Sequence, residues 1–226
     1  MKAVVHTPTN GLKNSLDFYS KLNFKVLSKE NPVLVSDGKA IIEINPDRFA
    51  RAGVKLYRKS WGKSLKELEQ LTSLTKIEGG YLLSDANGVW IYLVEGEPDW
   101  DFDLSQIQPS VLGNYAGITL ETTDMSRTVK IWQKIGFSGT MDQAWVSFTS
   151  EDGMMINFLK PNSCPHLFFN PSLTYFNGKN NLSVIQKIRD LNIPITEEIT
   201  YFNKEGIVDN VIIRDPGGYG FFIFND

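Results

Sequence analysis

The stretch Lys13-Asn14-Ser15-Leu16-Asp17-Phe18-Tyr19-Ser20-Lys21-Leu22-Asn23-Phe24 decides how this chain is read. Leu16, Tyr19 and Leu22 recur at three-residue spacing, which sets one apolar stripe along a helix, and Asn23 ends the pattern ahead of the β-prone Phe24–Leu27. The stretch then returns. A shift of 113 positions lays Arg127–Phe137, RTVKIWQKIGF, over Asn14–Phe24 without a gap, pairing Leu16 with Val129, Tyr19 with Trp132 and Phe24 with Phe137. A period of half the 226 residues predicts two similar halves that meet near residue 113.

Working outward, a short strand at Lys2–Thr7 precedes the helix Lys13–Leu22, and strands at Phe24–Leu27, Pro32–Ser36 and Ala40–Ile44 follow it, the last two joined by an Asp37-Gly38 turn. That is one βαβββ unit. The pattern restarts with Val54–Tyr57, a helix over Lys63–Leu74 carrying Leu65, Leu68 and Leu71 on one face, and strands at Thr75–Ile77, Tyr81–Ser84 and Val89–Val94. A third unit takes in Tyr115–Glu121, the helix Met125–Ile135, and strands at Ala144–Thr149 and Met154–Leu159. The fourth has Ser172–Phe176, the helix Leu182–Leu191, Glu197–Phe202, Val208–Arg214 and Tyr219–Phe224. The expected fold is α+β, with four βαβββ units in two tandem halves of curved mixed sheet. The halves are 1–113 (units 1–50 and 51–113) and 114–226 (units 114–165 and 166–226). One helix over so small a sheet is not stable alone, so units must pair to bury the remaining apolar face. Between the halves, the acidic and aromatic Glu95–Gln108 is the segment expected to be flexible.

Composition narrows the function. A hydrophobic fraction of 42% supports a packed core, and a formal charge of −3 with no run of Lys or Arg gives no footprint for a nucleic-acid partner. The single Cys164 cannot close an internal disulfide, and the N-terminus lacks a basic start followed by an apolar run. Apolar runs are of strand length only, as in Gly220–Phe224. The expectation is a soluble, cytoplasmic protein with neither nucleic-acid nor membrane partners.

Two phrases carry a resemblance. Ser15-Leu16-Asp17-Phe18-Tyr19 leads into Leu22-Asn23-Phe24, with Ile135-Gly136-Phe137 as its counterpart, and Asp215-Pro216-Gly217-Gly218 precedes a final strand, with Asp85-Ala86-Asn87-Gly88 as a degraded copy. With four βαβββ units, these phrases resemble the glyoxalase, bleomycin-resistance and extradiol-dioxygenase superfamily, also called the vicinal oxygen chelate fold. The resemblance covers nearly the whole chain. It implies a small-molecule cleft, and in catalytic members a divalent metal held by His, Glu or Gln from the first and last strands of two units, where it polarises adjacent oxygens of the substrate. One fold hosts isomerases, lyases, dioxygenases, thiol transferases and non-catalytic drug binders, so activity rests on the site.

At the matching positions the first unit offers His6 and Glu43, the candidate metal ligands for Fe, Ni, Zn or Mn. The second offers Tyr57, or Lys55 one alternate residue earlier, and Tyr92; the third Thr119 and Asn157; the fourth Phe176 and Phe222. The ligand set is incomplete. If metal chemistry occurs, as a lyase, isomerase or dioxygenase, Tyr57 and Tyr92 are the candidate catalytic residues, as proton donor or substrate contact. The other reading of His6 is an ordinary strand-end imidazole, and of Glu43 a solvent-facing carboxylate beside Lys39 or Arg48. A different class of function follows from Trp90, Tyr92, Phe222 and Phe224, whose strand parity could line a concave sheet with rings and bind an aromatic or amphipathic compound without turnover. These rings could equally be core.

The degraded second copy reads as scaffold for a site in the first half. Cys164 and His166 sit two apart in an irregular loop with no orienting third group, and Trp61-Gly62-Lys63-Ser64 lacks the upstream glycine of a phosphate loop, so neither is assigned chemistry. Because the tandem halves supply their own pairing, a monomer suffices and a homodimer is compatible.

Overall fold

The computed structural model describes residues 1–141 and 145–225. The expected strand start at Ala144 and the terminal Asp226 lie outside them. The first half contains β1 (Lys2–Pro8), α1 (Leu12–Lys21), β2 (Lys25–Ser28), β3 (Val33–Ser36), β4 (Ile41–Asn45), β5 (Gly53–Arg58), α2 (Gly62–Leu68), β6 (Leu74–Ile77), β7 (Gly80–Ser84) and β8 (Trp90–Glu95). The second contains β9 (Tyr115–Glu121), α3 (Met125–Ile135), β10 (Ser138–Met141), β11 (Trp145–Thr149), β12 (Met155–Leu159), β13 (Ser172–Phe176), α4 (Asn181–Asp190), β14 (Ile195–Ile199), β15 (Asn210–Arg214) and β16 (Gly220–Phe224). The fold is α+β.

Two eight-stranded mixed sheets result, ordered β2-β3-β4-β1-β5-β8-β7-β6 and β10-β11-β12-β9-β13-β16-β15-β14. Within each unit the first strand runs parallel to the last, and the two units of a half join through their first strands, antiparallel, as β1 with β5 and β9 with β13. Unit pairing is thus edge to edge through the sheet. No helix among the described residues is long and apolar enough to cross a membrane.

The repeated phrases explain how the halves hold together. Tyr19 on α1 donates its hydroxyl to Asp215 Oδ2 at 2.9 Å, in the turn before β16, and its repeat partner Trp132 on α3 donates its indole N–H to Asp85 Oδ2 at 3.2 Å, in the turn before β8. The first helix of each half therefore seals a turn of the other. Tyr175 adds a third link across the halves, to Asp37 Oδ2 at 2.7 Å. Around the helix starts the 113-residue shift persists in detail, with Thr9 Oγ1 bonded to Ser15 Oγ at 2.8 Å and Thr122 Oγ1 to Thr128 Oγ1 at 2.9 Å. Past the helix ends, Gly136 takes φ +115°, and Asn23 reaches the same left-handed region at φ +64°, which Asn tolerates better than most residues with a Cβ. That is why Asn23 can stand where the phrase has Gly.

One contiguous core runs through both halves, and a separate small cluster of Ile199, Ile212 and Phe222 lies on the other face of the second sheet. Strand parity separates them: Phe221 and Ile223 of β16 point into the main core, and Phe222 and Phe224 point to the opposite face.

Three elements differ from the sequence reading. The helix α2 stops at Leu68 instead of Leu74, since the Thr and Ser of Gln70–Thr75 are weak helix formers, Thr72 Oγ1 bonds Ser84 O at 2.7 Å, and Leu74 pairs with Leu83 in the sheet. The strand β10 carries no apolar alternation and is exposed along its length, so only its ladder with β11 defines it. The Glu95–Gln108 linker is anchored, with Trp100 edge-on to Tyr57 at 6.0 Å and stacked on Phe102 at 5.5 Å, and a 3-10 turn at Leu104–Gln106 whose start Asp103 caps.

Candidate functional site

The sheet registers fix which positions are equivalent in the two halves. His6 pairs with Glu43 and Lys55 with Tyr92 in the first sheet; Thr119 pairs with Asn157 and Thr174 with Phe222 in the second. Since His6 lies opposite Gly53 and Thr119 opposite Ser172, Lys55 and Thr174 are the matching residues. Tyr57, read from sequence with Lys55 as its alternative, and Phe176 sit two residues further along their strands.

In the first sheet these four positions make a closed polar cluster. His6 is fully buried and Glu43 is 3% exposed, so neither is the exposed side chain that a surface reading gives. Asn45 Oδ1 accepts the Asp47 N–H at 2.8 Å, which leaves its Nδ2 to donate to His6 Nε2 at 3.0 Å. The imidazole proton is then on Nδ1, donated to Arg51 O at 2.8 Å. Burial lowers the His6 pKa below its usual value, with the Lys55 charge adding to that and the Glu43 carboxylate opposing it. Glu43 Oε1 meets the Lys55 ammonium at 2.5 Å and lies 3.8 Å from His6 Nε2, and its Oε2 has no hydrogen-bond partner among the described residues.

This donor set does not fit a divalent metal. The His6 lone pair is engaged by Asn45, the open position beside Glu43 holds the Lys55 ammonium, and no group of three His, Cys, Asp or Glu side chains converges among the described residues. A bound cation and Lys55 would repel each other across the carboxylate they share.

Tyr92 packs on the His6 ring at a centroid distance of 4.6 Å, and its hydroxyl oxygen accepts the Arg51 N–H at 3.2 Å. Burial, with the Glu43 carboxylate second, drives the Tyr57 phenol well above the tyrosine range, and burial also raises Tyr92. Both hydroxyls keep their protons at neutral pH. Trp90 is 36% exposed on the same strand as Tyr92, away from Phe222 and Phe224 on the other sheet. The four candidate rings are therefore divided between two sheets and do not line one surface.

The second sheet opens where the first is closed. A cavity of about 190 Å³ has Thr119, Thr174 and Asn157 at its polar end and Phe222 and Phe224 along one wall, stacked at 5.5 Å. The Pro161–Pro171 loop folds over it. His166 stands edge-on to Phe222 at 5.3 Å and to Phe224 at 5.1 Å, Phe168 meets Phe222 at 5.1 Å, and Cys164 joins the lining. Phe202 and Phe176 complete the rim. Burial, then the Glu121 carboxylate, pushes the Cys164 thiol up to about 11, so it is a neutral lining group and not a nucleophile. Phe168, Phe202 and Thr174 were missed by sequence reasoning. The only signal for Thr174 is parity within Ser172–Phe176, and for the loop residues there is none, because an irregular segment has no period that fixes where its side chains point.

A larger recess of about 240 Å³ lies at the linker, between Lys2, Lys39, Asp101, Asp152 and Trp100. Its charges largely satisfy one another and the backbone, with Lys2 Nζ on Asp101 at 2.7 Å and the Ala3 N–H on Asp152 at 2.5 Å. The second-half cavity is the better-formed site.

No protein-family model matches the sequence, and no curated protein matches it. Solved structures do share the fold. Homoprotocatechuate 2,3-dioxygenase from Arthrobacter globiformis superposes with a TM-score of 0.62 at 14% identity, covering 98% of this chain and 78% of that one. A 2,2',3-trihydroxybiphenyl 1,2-dioxygenase from Sphingomonas wittichii strain RW1 gives 0.54 at 11% identity, covering 99% and 91%. A catechol 2,3-dioxygenase gives 0.57 at 11% identity, covering 97% and 85%. At such identities the likeness is one of fold alone, and it extends over nearly the whole of this chain.

Proposed function

We propose that this chain binds a small aromatic molecule in the concave face of its second half and does so without a metal. The observation that carries this reading is the cavity of about 190 Å³ walled by Phe222, Phe224, Phe168 and His166, with an uncharged polar end at Thr119 and Thr174. Its size suits one ring, since a cavity of about 150 Å³ lined by apolar side chains takes benzene. The neighbours of like fold carry names that refer to catechols and other hydroxylated rings, which supports the ligand class.

Metal-assisted turnover at His6 and Glu43 is the weaker alternative, because Lys55 and Asn45 already engage both groups. The first half then contributes a packed scaffold and the second half the site. Calorimetric titration of chelator-treated protein with simple phenols tests the reading. Leu159 also lines the cavity, and binding that persists after chelation and is lost when Leu159→Trp fills that space supports the reading. Binding that appears only on adding a divalent metal overturns it.

A further inference from the structure

Resting on that reading, we infer that the second-half cavity selects for an uncharged ring bearing a hydroxyl group and rejects anions and cations of the same shape. None of its lining side chains is Lys, Arg, Asp or Glu. Arg214 stacks on Phe169 at 4.8 Å and is outside the lining. The carboxylates nearby include Glu121, which bears on Cys164, Glu197, whose Oε2 accepts the Leu167 N–H at 2.7 Å, and Asp209, whose Oδ1 accepts from the lining Asn210 Nδ2 at 3.0 Å. An anion entering this cavity loses its hydration, meets no counter-charge and approaches these carboxylates. A cation finds aromatic faces but no carboxylate in the lining, so cation–π attraction alone must offset the loss of its hydration and falls short of it.

The polar end supplies the discrimination. Thr119 and Thr174 are 7% and 3% exposed, and their hydroxyl oxygens are 2.8 Å apart, so one donates to the other. The accepting hydroxyl keeps its own proton and the pair keeps free lone pairs, with no further hydrogen bond to either hydroxyl among the described residues. A ligand hydroxyl can give one hydrogen bond to this pair and receive one from it, whereas a bare ring leaves both buried hydroxyls half-satisfied. Asn157 Nδ2 is already committed to Ala116 O at 3.0 Å, so the threonine pair is the main polar contact.

The test is a calorimetric titration of the intact protein at pH 8, above the ordinary range of imidazole, with four ligands that share one toluene ring and differ in the para substituent. These are 4-methylphenol, toluene, 4-methylbenzoate and 4-methylbenzylammonium. The phenol is expected to bind about tenfold tighter than toluene and at least about a hundredfold tighter than either ion. In the isosteric Thr119→Val, Thr174→Val double variant, its advantage over toluene should vanish while toluene still binds. Either ion matching the phenol, or toluene matching it in the wild type, overturns the selectivity and leaves aromatic binding intact. Failure of all four to bind at millimolar concentration overturns the aromatic-binding reading along with it.

Discussion

At the scale of single residues, an ion pair occupies the centre of the first sheet. Glu43 and Lys55 are both largely buried, their side chains 4% and 17% exposed, and a buried pair that loses one member leaves an uncompensated charge. Lys55→Met should lower stability by about 3–5 kcal/mol in urea denaturation, and adding Glu43→Gln should recover most of it. Equal instability of single and double variants would show that the pair's charge is not the issue. His6 makes a pH prediction with a definite sign. Its folded-state pKa is depressed by burial, so on acidification through about 6.5 the unfolded chain takes up a proton that the folded chain refuses, and stability falls. His6→Gln keeps a donor for Arg51 O and an acceptor for Asn45, and should flatten this part of the profile between pH 7 and 5. Asp85 and Asp215 act oppositely, because burial raises both carboxyls and the folded state holds their protons more tightly. They are common to both proteins and cancel in the difference curve; parallel curves for wild type and variant would remove His6 from the account.

At the scale of elements, the links that matter are those from α1 and α3 to the turns of the opposite half. Asp215 accepts from Tyr19, from Thr7 Oγ1 at 2.7 Å and from the Tyr219 N–H at 2.7 Å, all buried. Asp215→Ala should destabilise the protein by more than about 3 kcal/mol, and Tyr19→Phe by about 1–2 kcal/mol, read from urea midpoints. A Tyr19→Phe change larger than Asp215→Ala would mean that the ring's packing, not the turn, is what the link preserves. These elements were the most legible part of the sequence, because α1 and α3 each bury one stripe and the period survives in Leu16, Tyr19 and Leu22. The strand β10 was not legible. Ser138–Met141 buries nothing, and hydrogen bonding to a neighbour leaves no mark on side-chain pattern. The aromatic phrase Phe221–Phe224 showed that two faces exist, yet which face met the core and which a cavity depends on the Pro161–Pro171 loop, whose path no periodicity encodes.

At the scale of the whole molecule, one core cluster runs across both sheets, and among the described residues four buried hydrogen bonds between side chains cross between the halves. The chain should therefore unfold in a single transition, with tryptophan fluorescence and far-ultraviolet circular dichroism giving coincident curves. The division of labour proposed for the two halves belongs to this scale. Sequence reading offered two sites, a first-half one because His6 and Glu43 look like ligands, with Thr119, Asn157 and Phe222 as degraded counterparts, and a ring-lined one using Trp90, Tyr92, Phe222 and Phe224. The proposed reading favours the second half, because the ionisable residues close the first sheet and the neutral ones leave room in the second. The most direct test of this arrangement is titration of chelator-treated protein with 4-methylphenol, comparing wild type, Leu159→Trp and a first-half variant combining His6→Gln, Glu43→Gln and Lys55→Met, which leaves no unpaired buried charge. The account predicts binding in wild type and in the first-half variant and none in Leu159→Trp, whereas loss of binding in the first-half variant with retention in Leu159→Trp would place the site in the other sheet.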